Sequence, residues 1–358
     1  MADNVSRRDA LKSYGAALAA ATTKPGGMLG LGASLLAPPP KHRADWMTKG
    51  SFGMMVHWIA PGPAPEKGEW VQDNDRAVDA FDVQGFLGQV RESGAGWVIL
   101  TLGQNSGYYC SPNATMDRLV GPGHCSKRDL ALEIAKGLHK MGKRFIAYLP
   151  AEVAAQSEAV HKGFGWNPDN QDEFQQRYTS FIREYSERFG KLCDGWWFDG
   201  CYTWPVFHNS LYKWPLWYEA ARAGNPNAAV AWNDGSYCIG ITKPVNAEQD
   251  YLSGEIEKII DGKIRLGREE TASLHLPDSR YAAGTSCLNH ALLYIDAVWG
   301  HAKPGPMEPL LYTDEQLFAF VRNYRRARGA VTLNVGIYQE GRIGAEAVAQ
   351  LKRLKATL

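Results

Sequence analysis

A carboxylate that closes an apolar strand and precedes a glycine needs either a structural partner or a chemical task. Asp199, in Trp196-Trp197-Phe198-Asp199-Gly200, is the sharpest such residue in the chain. Most enzymes that hydrolyse a glycosidic bond use two carboxyl groups, one as nucleophile or base and one as proton donor. Candidates for the second are Glu255, Glu257, Glu248, Asp234 and Glu69. Glu255 is the expected acid/base, following the strand-like run Asp250-Tyr251-Leu252-Ser253-Gly254. The plainer reading makes it a solvated glutamate that opens a helix from Glu255 to Ile260. Other apolar runs end in His57-Trp58, in Gly103-Gln104-Asn105-Ser106, at Tyr148 and in Trp232-Asn233-Asp234. Aromatic faces stack on the C–H side of pyranose rings, while His, Gln, Asn and carboxylates hydrogen-bond hydroxyls. Together these residue types point to a carbohydrate site. Trp58 and Trp197 are the candidate stacking residues, whereas Trp196, Trp204, Trp214 and Trp217 read as core.

These residues are useful only if something brings the strand ends together. From residue 50 onward short apolar runs alternate with amphipathic stretches, the order of a parallel sheet with helical crossovers. Strands are expected at Phe52 to Trp58, Trp97 to Gly103, Arg144 to Pro150, Gly195 to Cys201, Ala228 to Asp234 and Ala330 to Gly336. Helices are expected at Phe86 to Glu92, Asp129 to Met141, Asp172 to Phe189, Asp314 to Arg328 and Ala345 to Leu358. In the third of these, Phe174, Tyr178, Phe181, Ile182 and Tyr185 recur at helical spacing and form one apolar face. Two further strands are expected in the less regular stretch from Asn246 to Pro309. Eight strand and helix units in about 300 residues suit a (β/α)8, TIM-like barrel, in which the C-terminal strand ends converge on one pocket. An open doubly wound sheet is the alternative, but His57-Trp58-Ile59 stands where its phosphate loop would need glycines.

The 358 residues carry a formal net charge of +1, which leaves no basic field for nucleic acid. Ser6-Arg7-Arg8-Asp9-Ala10-Leu11-Lys12, followed by an Ala/Leu/Gly-rich stretch, reads as a twin-arginine export leader over residues 1–40. That places the protein in the periplasm or outside a bacterial cell. Nothing later is apolar enough to span a membrane. Six dispersed cysteines, with no His cluster at ligand spacing, imply no metal, and no cofactor is expected. Cys110 and Cys125 could close a disulfide, although buried free thiols are the commoner case. His124, His139, His161, His208, His275, His290 and His301 read as surface or packing residues, and Arg322, Arg325, Arg326 and Arg328 as a solvated helix face.

Four ordered motifs resemble glycoside hydrolase family 29, the α-L-fucosidases, over nearly all of residues 46–358. They are Phe52-Gly53-Met54-Met55-Val56-His57-Trp58, Gly68-Glu69-Trp70, Trp197-Phe198-Asp199-Gly200, and Leu333-Asn334-Val335-Gly336 with Gly341-Arg342-Ile343. The resemblance implies a barrel in which Asp199 attacks the anomeric carbon. His57, Glu69, Tyr148 and Trp197 would contact the sugar, with Trp70 beside them. It also implies retention of anomeric configuration, with the two carboxyl groups about 5–5.5 Å apart.

Two departures bear on chemistry. Where the family has Lys-His-His-Asp-Gly-Phe, this chain has Gly103-Gln104-Asn105-Ser106-Gly107-Tyr108, so neutral amides replace two sugar-gripping histidines. Glu255 is not itself a motif match, and an alignment through Thr285-Ser286-Cys287 would put no glutamate at the acid position. A C-terminal β-sandwich, frequent in the family, is not expected after the helix at Ala345 to Leu358. The expected activity is an exported retaining exo-glycosidase acting on α-L-fucose, or a closely related L-sugar, in oligosaccharides or glycoconjugates. The alternatives are an inactive glycan-binding barrel and a barrel enzyme acting on a modified or anhydro sugar.

Overall fold

The computed structural model describes residues 42–49, 51–201, 211–235, 242–261, 263–265, 273–274 and 276–358. The expected export leader lies outside them, as do Trp204, His208, Cys238 and His275.

After a 3-10 turn at Asp45–Lys49 come β1 (Gly53–Val56), α1 (Asn74–Asp79), α2 (Val83–Ser93), β2 (Trp97–Thr101), α3 (Ala114–Leu119) and α4 (Leu130–Lys140). They are followed by β3 (Arg144–Pro150), α5 (Glu158–Phe164), α6 (Asp172–Phe189), β4 (Gly195–Asp199), α7 (Trp214–Ala221) and β5 (Ala229–Trp232). The second half holds β6 (Glu255–Ile256), β7 (Lys258–Ile260), β8 (Lys263–Arg265), β9 (Ser273–Leu274), β10 (His290–Tyr294), α8 (Asp314–Arg326), β11 (Ala330–Val335) and α9 (Ala345–Ala356).

Eight strands form one parallel sheet in the order β5-β4-β3-β2-β1-β11-β10-β6, while β7, β8 and β9 make a small antiparallel sheet. Parallel strands are covered on both faces and so read as continuous apolar runs. Trp97–Thr101 is buried at every position, as are Gly195–Asp199 and His290–Tyr294. Residues pointing to one face, including Val98, Leu100, Phe145, Ala147, Trp196, Phe198 and Val230, pack under the helices. The opposite face gathers Met55, Ile99, Tyr148 and Trp197 with Ala229, Ala231 and Leu292. This second cluster joins side chains from strands far apart in the sheet order, which requires the sheet to curl around them. Hydrogen bonds cross the same interior. Trp97 Nε1 donates to Thr332 Oγ1 at 2.9 Å and Trp197 Nε1 to Ser253 O at 3.2 Å.

Between edge strands β5 and β6, Asp250 N donates to Val230 O at 3.0 Å, and its carboxylate accepts from Val230 N at 2.9 Å. Arg222 and Arg43 lie against that carboxylate at 2.7 and 3.4 Å. The result is a curled, eight-stranded parallel α/β sheet.

One expected element is different. The stretch Glu255 to Ile260 is not a helix but the strands β6 and β7. Ile256, Ile259 and Ile260 are β-branched, and the turn after them begins at Asp261 with φ 49°. Asp-Gly between apolar runs is a hairpin signal, and Asp261-Gly262 carries it here. Cys110 and Cys125 are both free thiols, so no disulfide joins them.

Candidate active site

Asp199 is the last residue of β4, only 9% exposed, and lies beside Pro150 of β3. Gly200 follows with φ 78°, and a Cβ there would press on the Glu152 side chain at 2.8 Å, so the chain leaves the strand through a turn that suits only glycine. Three neighbouring strands aim donors at the carboxylate. Tyr148 Oη donates to Oδ2 at 2.6 Å and Gln104 Nε2 to the same oxygen at 3.0 Å, while Asn233 Nδ2 donates to Oδ1 at 2.8 Å. Both oxygens therefore act as acceptors, the role of an ionised carboxylate.

The Gln104 amide also fixes a proton. Its nitrogen must face Asp199, because its oxygen there would meet another acceptor. The amide oxygen then turns to His57 Nε2 at 2.6 Å, and that ring nitrogen must be the one bearing hydrogen. His57 follows β1, and its ring lies 5.5 Å from Tyr148. Tyr148 in turn stacks on Trp197, with centroids 5.1 Å apart and planes at 14°. Sequence-distant side chains from four strands thus form one floor.

Glu255 reaches the floor from β6, which pairs with β10 at Leu292. It is half-buried, and its Oε2 accepts from Asn233 Nδ2. The same amide nitrogen therefore serves Asp199 and Glu255. Two acceptors on one nitrogen lie within about 6 Å of each other by ordinary hydrogen-bond lengths. Beside them the Tyr294 phenol is pushed up, by burial first and then by the negative charges of Glu257 and Glu255.

Six of the residues singled out by sequence converge: Asp199, Glu255, His57, Gln104, Tyr148 and Trp197. Four do not. Trp58 is fully buried, edge-on to Phe81 at 5.4 Å, and donates through Nε1 to Gln339 O at 2.9 Å, so it offers no face to a sugar. An indole at the end of an apolar strand serves the helical layer equally well, and here that layer takes it. Glu69 is exposed and pairs with Arg76 at 3.4 Å. Trp70 donates to Gly62 O at 3.4 Å, and Asn105 is exposed. Of the other acidic candidates, Glu248 is exposed and Asp234 half-buried.

The structure gives specific places to two residues, of which sequence reading names Asn233 only among the strand ends and Trp299 not at all. Asn233 is the bridge between the carboxylates, and its place directly after the β5 run is the signal that finds it. Trp299, with φ 64°, packs on the inner cluster and stands edge-on to Tyr294 at 5.1 Å. Asn334 Nδ2 donates to its carbonyl at 3.2 Å and holds this strained backbone in place. Among the described residues no cluster of three or more His, Cys, Asp and Glu has the placement to hold a metal ion. No helix among them is long and apolar enough to cross a membrane.

No family model matches the chain. No curated protein matches it either. Solved structures do. A variant of the endo-fucoidan hydrolase MfFcnA4 from glycoside hydrolase family 107 superposes with a TM-score of 0.65 at 17% identity, over 90% of this chain and 54% of that one. This chain therefore spans about half the length of that protein. A second endo-fucoidan hydrolase of family 107, P5AFcnA, gives a TM-score of 0.60 at 16% identity, covering 88% of this chain and 93% of its own. The α-L-fucosidase AlfC from Lactobacillus casei, in complex with its α-L-fucose product, gives 0.56 at 17%, over 88% and 97%. At such identities the likeness is one of fold, and the chain has the α/β fold that these proteins share.

Proposed function

We propose that the protein is a retaining glycoside hydrolase, of the kind found in family 29, that releases terminal α-L-fucose or a closely related L-sugar from oligosaccharides or glycoconjugates. The observation that carries this is Asn233 Nδ2, which donates to Asp199 Oδ1 and to Glu255 Oε2 at once. A shared nitrogen keeps one oxygen of each carboxyl within about 6 Å of the other, which is compatible with the about 5–5.5 Å of a retaining pair. The structural neighbours named above act on fucose-containing substrates, which supports the choice of sugar. The reading takes the sheet as a closed eight-stranded barrel, joined through Asp250 and β5, with the site at the C-terminal ends of its strands. It also takes residues 1–40 as an export leader, which sets the work of the enzyme in the periplasm or outside the cell.

In this mechanism one Asp199 oxygen attacks the anomeric carbon as the glycosidic C–O bond breaks, and Glu255 gives its proton to the departing oxygen. Charge leaves Asp199 as its bond to carbon forms, and the donors from Tyr148, Gln104 and Asn233 hold the carboxylate plane throughout. Glu255, now ionised, removes a proton from the water that attacks the same carbon from the opposite side. Two inversions return the original configuration. Trp197, stacked under Tyr148, holds in place the phenol that donates to Asp199.

The test is hydrolysis of an aryl α-L-fucoside, with aryl α-L-galactoside and β-D-arabinoside beside it, by wild type and Asp199→Asn. Proton NMR during the first minutes reads the anomer released. We expect α-L-fucose to appear first and Asp199→Asn to lose at least about 10³-fold in kcat/KM. Release of the β-anomer would overturn the retaining mechanism, and full activity of Asp199→Asn would remove that residue from the reaction.

A further inference from the structure

Four large apolar side chains among the described residues are exposed, namely Tyr108, Ile260, Val298 and Leu311, and only Tyr108 is aromatic. Its ring lies over His124, with centroids 5.5 Å apart and planes at 19°, so one face is backed while the side chain remains 38% exposed. The support is built rather than loose. His124 Nδ1 hydrogen-bonds Gly107 O at 2.9 Å, and Tyr109 N donates to His124 O at 2.8 Å. Tyr108 N donates to Ser106 Oγ at 3.3 Å, and that hydroxyl donates to Ala60 O at 2.8 Å.

The turn also brings Tyr108 back toward the reacting residues. Gly107, with φ 70°, donates through N to Gln104 O at 3.0 Å, and an antiparallel bridge pairs Gly103 with Tyr109. Tyr108 is thus delivered beside Gly103-Gln104, and Gln104 touches both His57 and Asp199. Asn105 is exposed on the same turn and carries an amide donor and acceptor.

We propose that Tyr108, backed by His124 and with Asn105 on the same turn, is a second sugar platform that takes the pyranose next to the one held at Asp199. This rests on the glycosidase reading, and the exo mode of that reading leaves only the leaving-group side for a second ring. An aromatic face stacks on the C–H side of a pyranose, and a ring already fixed by a neighbour loses little freedom when it does so.

Full-length wild type and Tyr108→Ala are compared on α-L-fucosyl fluoride, whose leaving group has no ring, and on an α-1,6-linked fucosyl-N-acetylglucosamine disaccharide. The ratio of disaccharide to fluoride kcat/KM falls about tenfold in Tyr108→Ala, mainly through the disaccharide KM, and recovers in Tyr108→Trp. A ratio equal to that of wild type overturns the platform. If neither substrate turns over, the glycosidase reading fails and calorimetry of disaccharide binding decides the platform by itself. Binding about tenfold weaker in Tyr108→Ala supports it, while equal binding, or none to wild type, overturns it.

Discussion

Gln104 occupies the position where the resembling family has a histidine, and the structure shows what the amide does there. It is donor and acceptor at once, so it joins His57 at 2.6 Å to Asp199 at 3.0 Å with both polarities satisfied. Gln104→Leu keeps the volume and removes both bonds. Asp199 loses one of its three donors and His57 the acceptor that fixes its proton. We expect kcat/KM to fall about 10–100-fold, carried mostly by kcat, with a melting temperature close to wild type. Steady-state kinetics beside a thermal melt checks this, and unchanged kcat would show that the bridge is passive. The same logic explains Asn233, whose one nitrogen serves two carboxylates. The sequence marks both amides as strand-end residues, but only their three-dimensional meeting distinguishes them from Asn105, which stands one residue away and faces water.

At the scale of elements, Glu255 depends on a two-residue strand, and a short strand owes its position to its neighbours. Gly254, with φ 70°, precedes it, and a Cβ there would stand 2.2 Å from His290 O on β10. Gly254→Ala therefore combines left-handed backbone strain with a clash against main chain, at a cost of about 2–4 kcal/mol. Because the shift falls on β6, activity should drop further than stability alone would require. Urea unfolding and residual kcat/KM under fully folded conditions read the two effects separately, and a variant that is both stable and fully active would show that the β6 register is not set there. This region was also the least legible in the sequence. Long apolar runs such as Trp97–Thr101 and Gly195–Asp199 announce buried parallel strands, and the 18 residues of α6 announce themselves by period. Glu255 to Ile260 is short and mixes charged and β-branched residues, so it fits a helix start as readily as two strands. The antiparallel pairing of β7 with β8, and that of β6 with His290–Tyr294 more than 30 residues later, decide the matter. Trp58 illustrates a different limit. Sequence places an indole at a strand end, while which side of the curled sheet it faces is settled only by packing on Phe81.

For the whole molecule, two buried ionisable groups near the same strand pull stability in opposite directions with pH. His290 hydrogen-bonds Leu252 O through Nδ1 at 2.9 Å and Thr332 Oγ1 through Nε2 at 2.8 Å, and burial lowers its pKa to about 4 from 6.5. A base depressed on folding contributes stability above its unfolded value and loses it as pH falls through the folded one, so this contribution fades between about 6.5 and 4. Asp296 accepts from Ala297 N and Gly336 N, each at 2.7 Å, yet burial first, and the nearby Glu308 charge, raise its pKa to about 7 from 3.8. An acid raised on folding has its contribution in full below its unfolded value and loses it as pH rises through the folded one, here across about 3.8 to 7. Over the shared window the two slopes oppose. Asp296→Asn keeps an acceptor for both amides and removes the titration. The stability difference between variant and wild type should therefore move in favour of the variant by about 4 kcal/mol between pH 4 and pH 8, whatever fixed cost the amide brings. Urea unfolding of both proteins at several pH values measures that difference directly. A difference that stays constant across the range would mean that Asp296 titrates alike in the folded and unfolded chain. The expected slope would instead show that the folded chain keeps the Asp296 proton to higher pH than the unfolded chain does.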